Sequence, residues 1–104
     1  MKEIKQKILA FRDERDWKKY HNEKDLAISI SLEANELLEN FQWRTSEEAI
    51  AESKQNIKEE MADILIYLVQ LADKLDINIE EEVLNKLVKN AAKYPVDESE
   101  ENVK

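Results

Sequence analysis

The sequence contains no glycine and no cysteine, and its 104 residues include a single proline and a single histidine. The favoured β-hairpin turns need positive φ angles that glycine adopts most easily, so its absence disfavours strands joined by tight turns. Without cysteine, neither disulfides nor thiolate metal sites can form. These absences predict an all-α protein and are consistent with a reducing compartment.

Positive charge is also scarce relative to negative charge, and the formal net charge is −8. Such a chain would repel a phosphate backbone, so we expect no nucleic-acid polymer as a partner. Residues 1–5 are too polar for a signal peptide. The two long apolar runs, 26–43 and 57–75, are each interrupted by acidic residues, which argues against membrane spans. We therefore expect a cytoplasmic protein with no membrane partner.

Apolar periodicity predicts a bundle of four main helices in one domain, residues 1–95, followed by an acidic and disordered tail, residues 96–104. Thr45 and Glu48 fit a capping box. Residues 49–56 are weakly apolar, so they are predicted as a short surface helix or a mobile loop. The main helices are predicted over about 3–15, from an Asn22 N-cap to about Phe41, over about 57–75, and from an Asn78 N-cap to Tyr94.

Two of these helices have broad apolar faces. The second is apolar on much of its circumference, which predicts that it is buried on several sides. We therefore expect the protein to oligomerise through helix faces. The fourth helix is predicted to bury one stripe, formed by Val83, Leu84, Leu87, Val88 and Ala91.

Two pairs of carboxylates lie inside the apolar runs, Glu33 with Glu36 and Glu60 with Asp63. Residues three apart lie on nearly the same side of a helix. Ionised carboxylates that face a core are costly unless a cation meets them. Oxygen ligands from two facing helices suit a hard divalent metal, so the sequence predicts a site for Mg²⁺, with Mn²⁺ as the alternative.

Acidic pairs at this spacing usually mark a solvated helix face, and we accept that interpretation for Glu47, Glu48 and the acidic run 80–82. The two pairs above differ because apolar residues flank them for a full turn. A di-iron bundle would need Glu-x-x-His motifs, and His21 has no such partner. Magnesium commonly binds substrate phosphates as well as carboxylates, which indicates phosphoryl chemistry on a nucleotide or a similar anion.

With these residues the sequence resembles the MazG-like all-α nucleotide pyrophosphohydrolases, and among them the small dCTP pyrophosphatase branch. The resemblance covers about residues 8–95. Glu-x-x-Glu alone is a weak motif, but its combination with a later Glu-x-x-Asp, with Phe-Gln-Trp between them and Lys-Tyr-Pro after, is specific. The segments that carry the resemblance are 14–17, His21, 33–43, 59–68, Lys86, Asn90 and 93–95.

The resemblance implies magnesium-dependent hydrolysis of a nucleoside triphosphate to the monophosphate and pyrophosphate. The residues that match the family's metal ligands are Glu33, Glu36, Glu60 and Asp63. Either Glu39 or Glu59 could orient or deprotonate the attacking water, and the spacing does not choose between them. Members assemble as homodimers or homotetramers whose pockets are completed across subunits, so we expect the same here.

The resemblance also implies a nucleotide pocket. Aromatic rings can stack on a base, which is worth about 1–3 kcal/mol. The matched positions are Trp17, His21 and Trp43 around the base, Tyr67 against the sugar where it disfavours a ribose 2′-hydroxyl, Asn90 as a polar contact, and Lys93 and Tyr94 near the phosphates.

The sequence departs from the family pattern at two positions. Ala34 follows Glu33 where the broader group often has a second glutamate, and Asp25 stands where the dCTP branch often has asparagine. We therefore predict hydrolysis of dCTP or of a modified or non-canonical deoxynucleotide. The alternatives are a phosphoribosyl-ATP pyrophosphohydrolase, or a helical module that binds nucleotides or partners without turnover.

Overall fold

A computed structural model describes residues 1–96, and within them every regular element is helical. This confirms the all-α prediction. No helix in residues 1–96 is both long enough and apolar enough to cross a membrane. Most of the predicted tail, residues 97–104, lies outside the described residues. The elements are α1 (Lys2–Glu14), a 3₁₀ turn (Lys18–Tyr20), α2 (Glu23–Glu39), α3 (Ser46–Lys74) and α4 (Ile79–Lys93).

The three predicted helix N-caps are confirmed. Asn22 and Asn78 each accept a hydrogen bond from the backbone N–H three residues later, at 2.7 and 3.1 Å. Thr45 and Glu48 form a reciprocal capping box. These side chains satisfy backbone donors that have no partner inside the helix, so they set where α2, α3 and α4 begin.

The predicted boundary before the third helix is wrong. Residues 49–56 belong to α3, which runs without interruption by a loop from Ser46 to Lys74. Their alanine, glutamate, lysine and glutamine residues favour a helix although they bury little apolar surface. The helix is kinked at Ser53, where φ is −128° and ψ is 20°, and the Ser53 hydroxyl accepts a hydrogen bond from Arg44 at 2.9 Å.

Helices α2 and α3 form an antiparallel pair that supplies most of the core. Their contacts run in opposite directions along the two helices: His21, just before α2, meets Gln70, whereas Asn40, just after α2, meets Asn56. Helix α1 packs on the far end of α3. Within residues 1–96 the buried apolar residues are few, namely Leu26, Ala49, Val69 and Ala72.

Helix α4 contradicts one prediction, because its apolar stripe is not buried in the single chain. Val83, Leu84, Leu87 and Val88 are each half exposed or more, and no residue of α4 is fully buried. The Cα radius of gyration is 17.2 Å, whereas a compact domain of this length has about 13 Å. Periodicity identified the apolar face correctly, but the face has no cover within residues 1–96 of this chain.

Candidate metal and nucleotide site

Three of the four predicted metal ligands come together between α2 and α3. Glu33 and Glu36 lie one turn apart on α2, and Glu60 faces them from α3. Each offers a carboxylate oxygen, and these three atoms all lie within 4.8 Å of one another. We call Glu33, Glu36 and Glu60 the acidic cluster.

Two oxygens of the acidic cluster are buried and have no hydrogen-bond partner. They are Oε1 of Glu33 and Oε1 of Glu60, and Glu60 as a residue is only 9% exposed. Within residues 1–96, no lysine or arginine forms an ion pair with any member of the cluster. Buried carboxylate oxygens without a partner are costly. The arrangement therefore suits a bound cation, with shared protons as the alternative means of relieving the repulsion.

The electrostatics of the cluster show this repulsion. The pKa of Glu60 is raised above its ordinary value, chiefly because its protonated form can hydrogen-bond to Glu33. Burial and the negative charges of Glu33 and Asp63 raise this pKa further, whereas a hydrogen bond with Glu36 lowers it. The pKa of Glu36 is raised first by the negative charge of Glu60, then by burial. Both shifts mean that these carboxylates bind a proton more readily than free glutamate does, as expected for like charges held close together.

The fourth predicted ligand, Asp63, is half-buried one turn after Glu60 on α3 and lies outside the close group of three. Its charge nevertheless contributes to the raised pKa of both Glu36 and Glu60. Its role as a ligand stays a prediction.

The two candidate water-activating residues are exposed. Glu39 on α2 accepts a 3.4 Å hydrogen bond from Asn35 and contributes to the raised pKa of Glu36. Glu59 on α3 accepts a 3.0 Å hydrogen bond from Gln55. A cavity of about 320 Å³ lies beside Glu39. Its lining residues are Asn35, Leu38, Glu39, Phe41 and Gln42. The electrostatic coupling with the cluster distinguishes Glu39 from Glu59.

Trp17 and His21, two of the predicted base-pocket residues, lie together before the start of α2. Their ring centroids are 6.1 Å apart, and Trp17 also makes an edge contact with Phe11. His21 Nδ1 lies 3.1 Å from Oε1 of Gln70 on α3. Gln70 is ten residues beyond Glu60, which corresponds to about 15 Å along the helix axis.

Trp43, the third base-pocket residue, lies at the opposite end of α2 from Trp17 and His21. The 17 residues of α2 separate these two ends by about 25 Å along the helix. Trp43 is 92% exposed and has a φ of 65°, which is uncommon for a bulky residue. The structure therefore does not bring Trp17 and Trp43 together within one chain.

The remaining predicted contacts lie on α3 and at the end of α4. Tyr67 is half-buried on α3, between Glu60 and Gln70 along the chain. Asn90 is half-buried, whereas Tyr94 and Lys93 are exposed, with Lys93 Nζ 5.4 Å from the centroid of the Tyr94 ring. Their contact with a nucleotide stays a prediction.

Within residues 1–96, three buried polar residues were missed by the sequence analysis, namely Arg12, Asn40 and Gln70. Gln70 is 5% exposed and contacts His21; its signal is a single polar side chain in the otherwise apolar stretch 64–72. Arg12 is 3% exposed and donates 2.9 Å hydrogen bonds to Asp13 and to Asp73 on α3. Nothing in the local sequence around Arg12 distinguishes it from an exposed arginine of an amphipathic helix.

The chain is similar in sequence to proteins of a known family. The MazG-like family matches residues 28–104. dCTP pyrophosphatase 1 from Bos taurus is 35% identical over 101 residues, 92% of this chain and 60% of that protein. The Homo sapiens protein of that name is 33% identical over 100 residues, 91% of this chain and 59% of that protein. The chain thus spans about 60% of the length of these curated relatives.

A solved structure agrees with these matches. A pyrophosphatase from Archaeoglobus fulgidus DSM 4304 has a TM-score of 0.84 and 48% sequence identity, covering 92% of this chain and 93% of that chain. The family match includes the whole acidic cluster. The chain therefore belongs to the MazG-like family.

Proposed function

We propose that this chain is a magnesium-dependent nucleotide pyrophosphohydrolase, which cleaves a nucleoside triphosphate into the monophosphate and pyrophosphate. The observation that carries the proposal is the acidic cluster, with its two buried and unpartnered carboxylate oxygens. Its support beyond the geometry is the family membership and the pyrophosphatase names of the relatives.

The donor set fits a hard divalent cation. Every candidate ligand is a carboxylate oxygen, which suits Mg²⁺ or Mn²⁺ better than zinc. Glu33, Glu36 and Glu60 would hold the ion, with Asp63 as the fourth ligand. When bound, such an ion supplies charge neutralisation for the substrate phosphates and lowers the pKa of a bound water.

The protein's own residues would position the nucleophile. Glu39 is the better candidate for accepting the proton of the attacking water, because its charge is coupled to Glu36 and it borders an open cavity. Glu59 would then remain an exposed residue held by Gln55. The water would attack the α-phosphorus, and pyrophosphate would be the leaving group. Aromatic residues would hold the nucleobase.

The nucleotide pocket requires a second copy of the chain. Trp17 and Trp43 lie at opposite ends of α2, so they cannot stack on the same base within one chain. The uncovered apolar stripe of α4 is a suitable surface for a second copy, because contiguous exposed apolar residues on one helix face are typical of interaction sites. A homodimer or homotetramer would place Trp43 of one copy near Trp17 of another, and would bring Asn90, Lys93 and Tyr94 towards the phosphates.

The proposed substrate is dCTP or a modified or non-canonical deoxynucleotide, and the proposed role is removal of such nucleotides from the pool. The support is the name of the curated relatives, dCTP pyrophosphatase 1. Tyr67, half-buried on α3, is the residue proposed to exclude a ribose 2′-hydroxyl.

The test is product analysis on a panel of canonical and modified ribo- and deoxynucleoside triphosphates, with MgCl₂ and with EDTA. We expect pyrophosphate and the monophosphate in equal amounts, only with the metal, and fastest with a deoxycytidine nucleotide. Release of orthophosphate, or turnover that persists in EDTA, would contradict the reaction assigned here.

A further inference from the structure

The segment that carries Trp17 and His21 is held by one face of α3. Three polar contacts come from residues Gln70, Asp73 and Lys74, whose spacing places them on the same side of the helix. Asp73 accepts from Arg12 at 2.9 Å, Lys74 Nζ donates to the carbonyl oxygen of Lys18 at 2.9 Å, and Gln70 meets His21 at 3.1 Å. The orientation of this segment is therefore built into α3.

The contact between Gln70 and His21 determines which ring nitrogen carries the proton. Gln70 is buried, and its amide oxygen faces Nδ1 of the imidazole. A carbonyl oxygen only accepts hydrogen bonds, so Nδ1 is the donor when the amide has this orientation. In the neutral ring the other nitrogen, Nε2, then has no proton and is an acceptor.

We propose that Gln70 is a positioning residue, which holds neutral His21 in the Nδ1–H tautomer so that Nε2 accepts a hydrogen bond from an amino group of the bound base. This step rests on the proposed function, in which His21 contacts the base. The fixed acceptor favours cytosine and adenine, which carry exocyclic amino donors, over uracil and thymine, which carry a carbonyl oxygen at that edge. Gln70 thus acts on base selection without touching the substrate.

A freely rotating or differently protonated histidine would not give this preference. If Nε2 carried the proton, the ring would donate to a carbonyl oxygen and the preference would be reversed. With the Gln70 amide in the orientation seen here, an exchange of tautomer would place two acceptors, Oε1 of Gln70 and Nδ1 of His21, against each other, and relief of that contact would require the amide to turn over as well. Selection between amino and keto bases therefore depends on a residue about 15 Å along α3 from the acidic cluster.

The tautomer can be measured directly because His21 is the only histidine of the chain. Long-range ¹H–¹⁵N correlation spectra of the full-length protein at alkaline pH distinguish a protonated from an unprotonated ring nitrogen. We expect protonated Nδ1 and unprotonated Nε2 in the wild-type protein. The opposite assignment would overturn the proposal.

Three variants test the role of Gln70. Gln70→Met keeps the size of the side chain but removes the acceptor, so the ring should change to the Nε2–H tautomer that an unconstrained histidine side chain favours. Gln70→Glu keeps an acceptor and should preserve the wild-type tautomer. Gln6→Met, an exposed position on α1, is the matched control and should change nothing. An unchanged tautomer in Gln70→Met would overturn the proposal. If Gln70→Met does not fold, observation of the Nε2–H tautomer in Gln70→Glu would overturn the proposal instead.

The base contact is tested with dCMP and dUMP as probes in the presence of MgCl₂. We expect dCMP to move the Nε2 resonance clearly and dUMP to move it little. In turnover, Gln70→Met should raise KM for dCTP by about tenfold, the effect of one lost hydrogen bond, and should lower KM for dUTP, because an Nε2–H ring donates to the carbonyl oxygen of uracil. Equal effects on both nucleotides would overturn the contact. If no triphosphate is hydrolysed, the proposed function fails, and the tautomer spectra still decide the role of Gln70.

Discussion

Two groups of charged residues, each with one buried member and each involving α3, have opposite arrangements. Near the end of the helix, Asp73 and the neighbouring Asp13 accept hydrogen bonds from the buried guanidinium of Arg12, both at 2.9 Å. In the middle of the helix, Glu60 faces the carboxylates of Glu33 and Glu36, and two of the oxygens have no partner. The first group is neutralised by the chain itself, whereas the second has only like charges.

The electrostatics of the two groups differ in the same way. The hydrogen bond from Arg12 lowers the pKa of Asp13, whereas its neighbours raise the pKa of Glu60. Burial alone would lower the pKa of Arg12, but its hydrogen bonds to the two aspartates raise it overall. Breaking a buried charge pair destabilises a fold, whereas buried charges without a partner and with shifted pKa values are typical of functional sites. This difference separates the structural carboxylates from those assigned to metal binding.

The largest effect is expected at the unpartnered group. Glu60→Gln keeps the shape of the side chain but removes a charged ligand, so turnover should fall by at least about 100-fold, since loss of an outer-shell partner alone costs 10- to 100-fold. Steady-state pyrophosphate release measures this effect. Glu47→Gln, an exposed residue in the first turn of the same helix, is the control and should retain activity. Full activity in Glu60→Gln would remove Glu60 from the site.

Breaking the neutralised group should affect stability instead. Asp73→Ala leaves Arg12 with only one of its carboxylate partners, so the free energy of unfolding should fall by roughly 1–3 kcal/mol. Urea unfolding followed by circular dichroism measures the change, with the exposed Glu3→Ala as the control. At temperatures where the variant is folded, the magnesium dependence of turnover should match that of the wild type. A loss of magnesium response without a loss of stability would reverse the assignment of the two groups.

A third experiment asks whether the acidic cluster works within one copy while the pocket needs two. Trp17→Ala and Trp43→Ala should each weaken nucleotide binding. Mixed oligomers of the two variants, formed by joint unfolding and refolding, contain some pockets with both tryptophans intact. For random pairing of dimers, about a quarter of the wild-type activity should return. Activity that stays at the level of the separate variants would place both rings in a pocket of one chain.

The smallest effect concerns pH in the absence of metal. The raised pKa values of Glu36 and Glu60 mean that the folded state binds more protons, so this contribution to stability is lost as pH rises above the ordinary value of 4.5. The lowered pKa of Asp13 acts in the opposite direction, and its contribution is lost as pH falls below 3.8. The melting temperature in EDTA should therefore decline from about pH 5 towards neutrality. Thermal scans should show a weaker decline in Glu60→Gln, and an equal decline would contradict the assignment.

The sequence predicted the parts of the molecule that depend on local chemistry. The caps at Asn22, Thr45 and Asn78 follow from side-chain hydrogen bonds within four residues, and the structure confirms them. The pairing of Glu33 and Glu36 on one helix face likewise follows from helix geometry alone. The predicted start of α3 was wrong because the first turns of this helix form through helix propensity and show little apolar periodicity.

Long-range arrangement could not be predicted in the same way. Periodicity identified the apolar stripe of α4 but not its missing cover, because a pattern gives a face without its partner. Arg12 meets Asp73 across 61 positions of sequence, a pairing that no local pattern indicates. The separation of Trp17 from Trp43 depends on the length and direction of α2 between them, and Gln70 gains its role only when the turn before α2 packs on α3.

The most direct test of the account is thermal unfolding of the wild type and Glu60→Gln, each in EDTA and in MgCl₂. Magnesium at 100 times its dissociation constant should stabilise the wild type by about 2.7 kcal/mol, which raises its melting temperature by several degrees, and should leave Glu60→Gln nearly unchanged. In EDTA the variant should be at least as stable as the wild type, because it lacks one buried and repelled charge. Equal magnesium shifts in the two proteins, or a less stable variant in EDTA, would contradict the claim that the acidic cluster holds the metal.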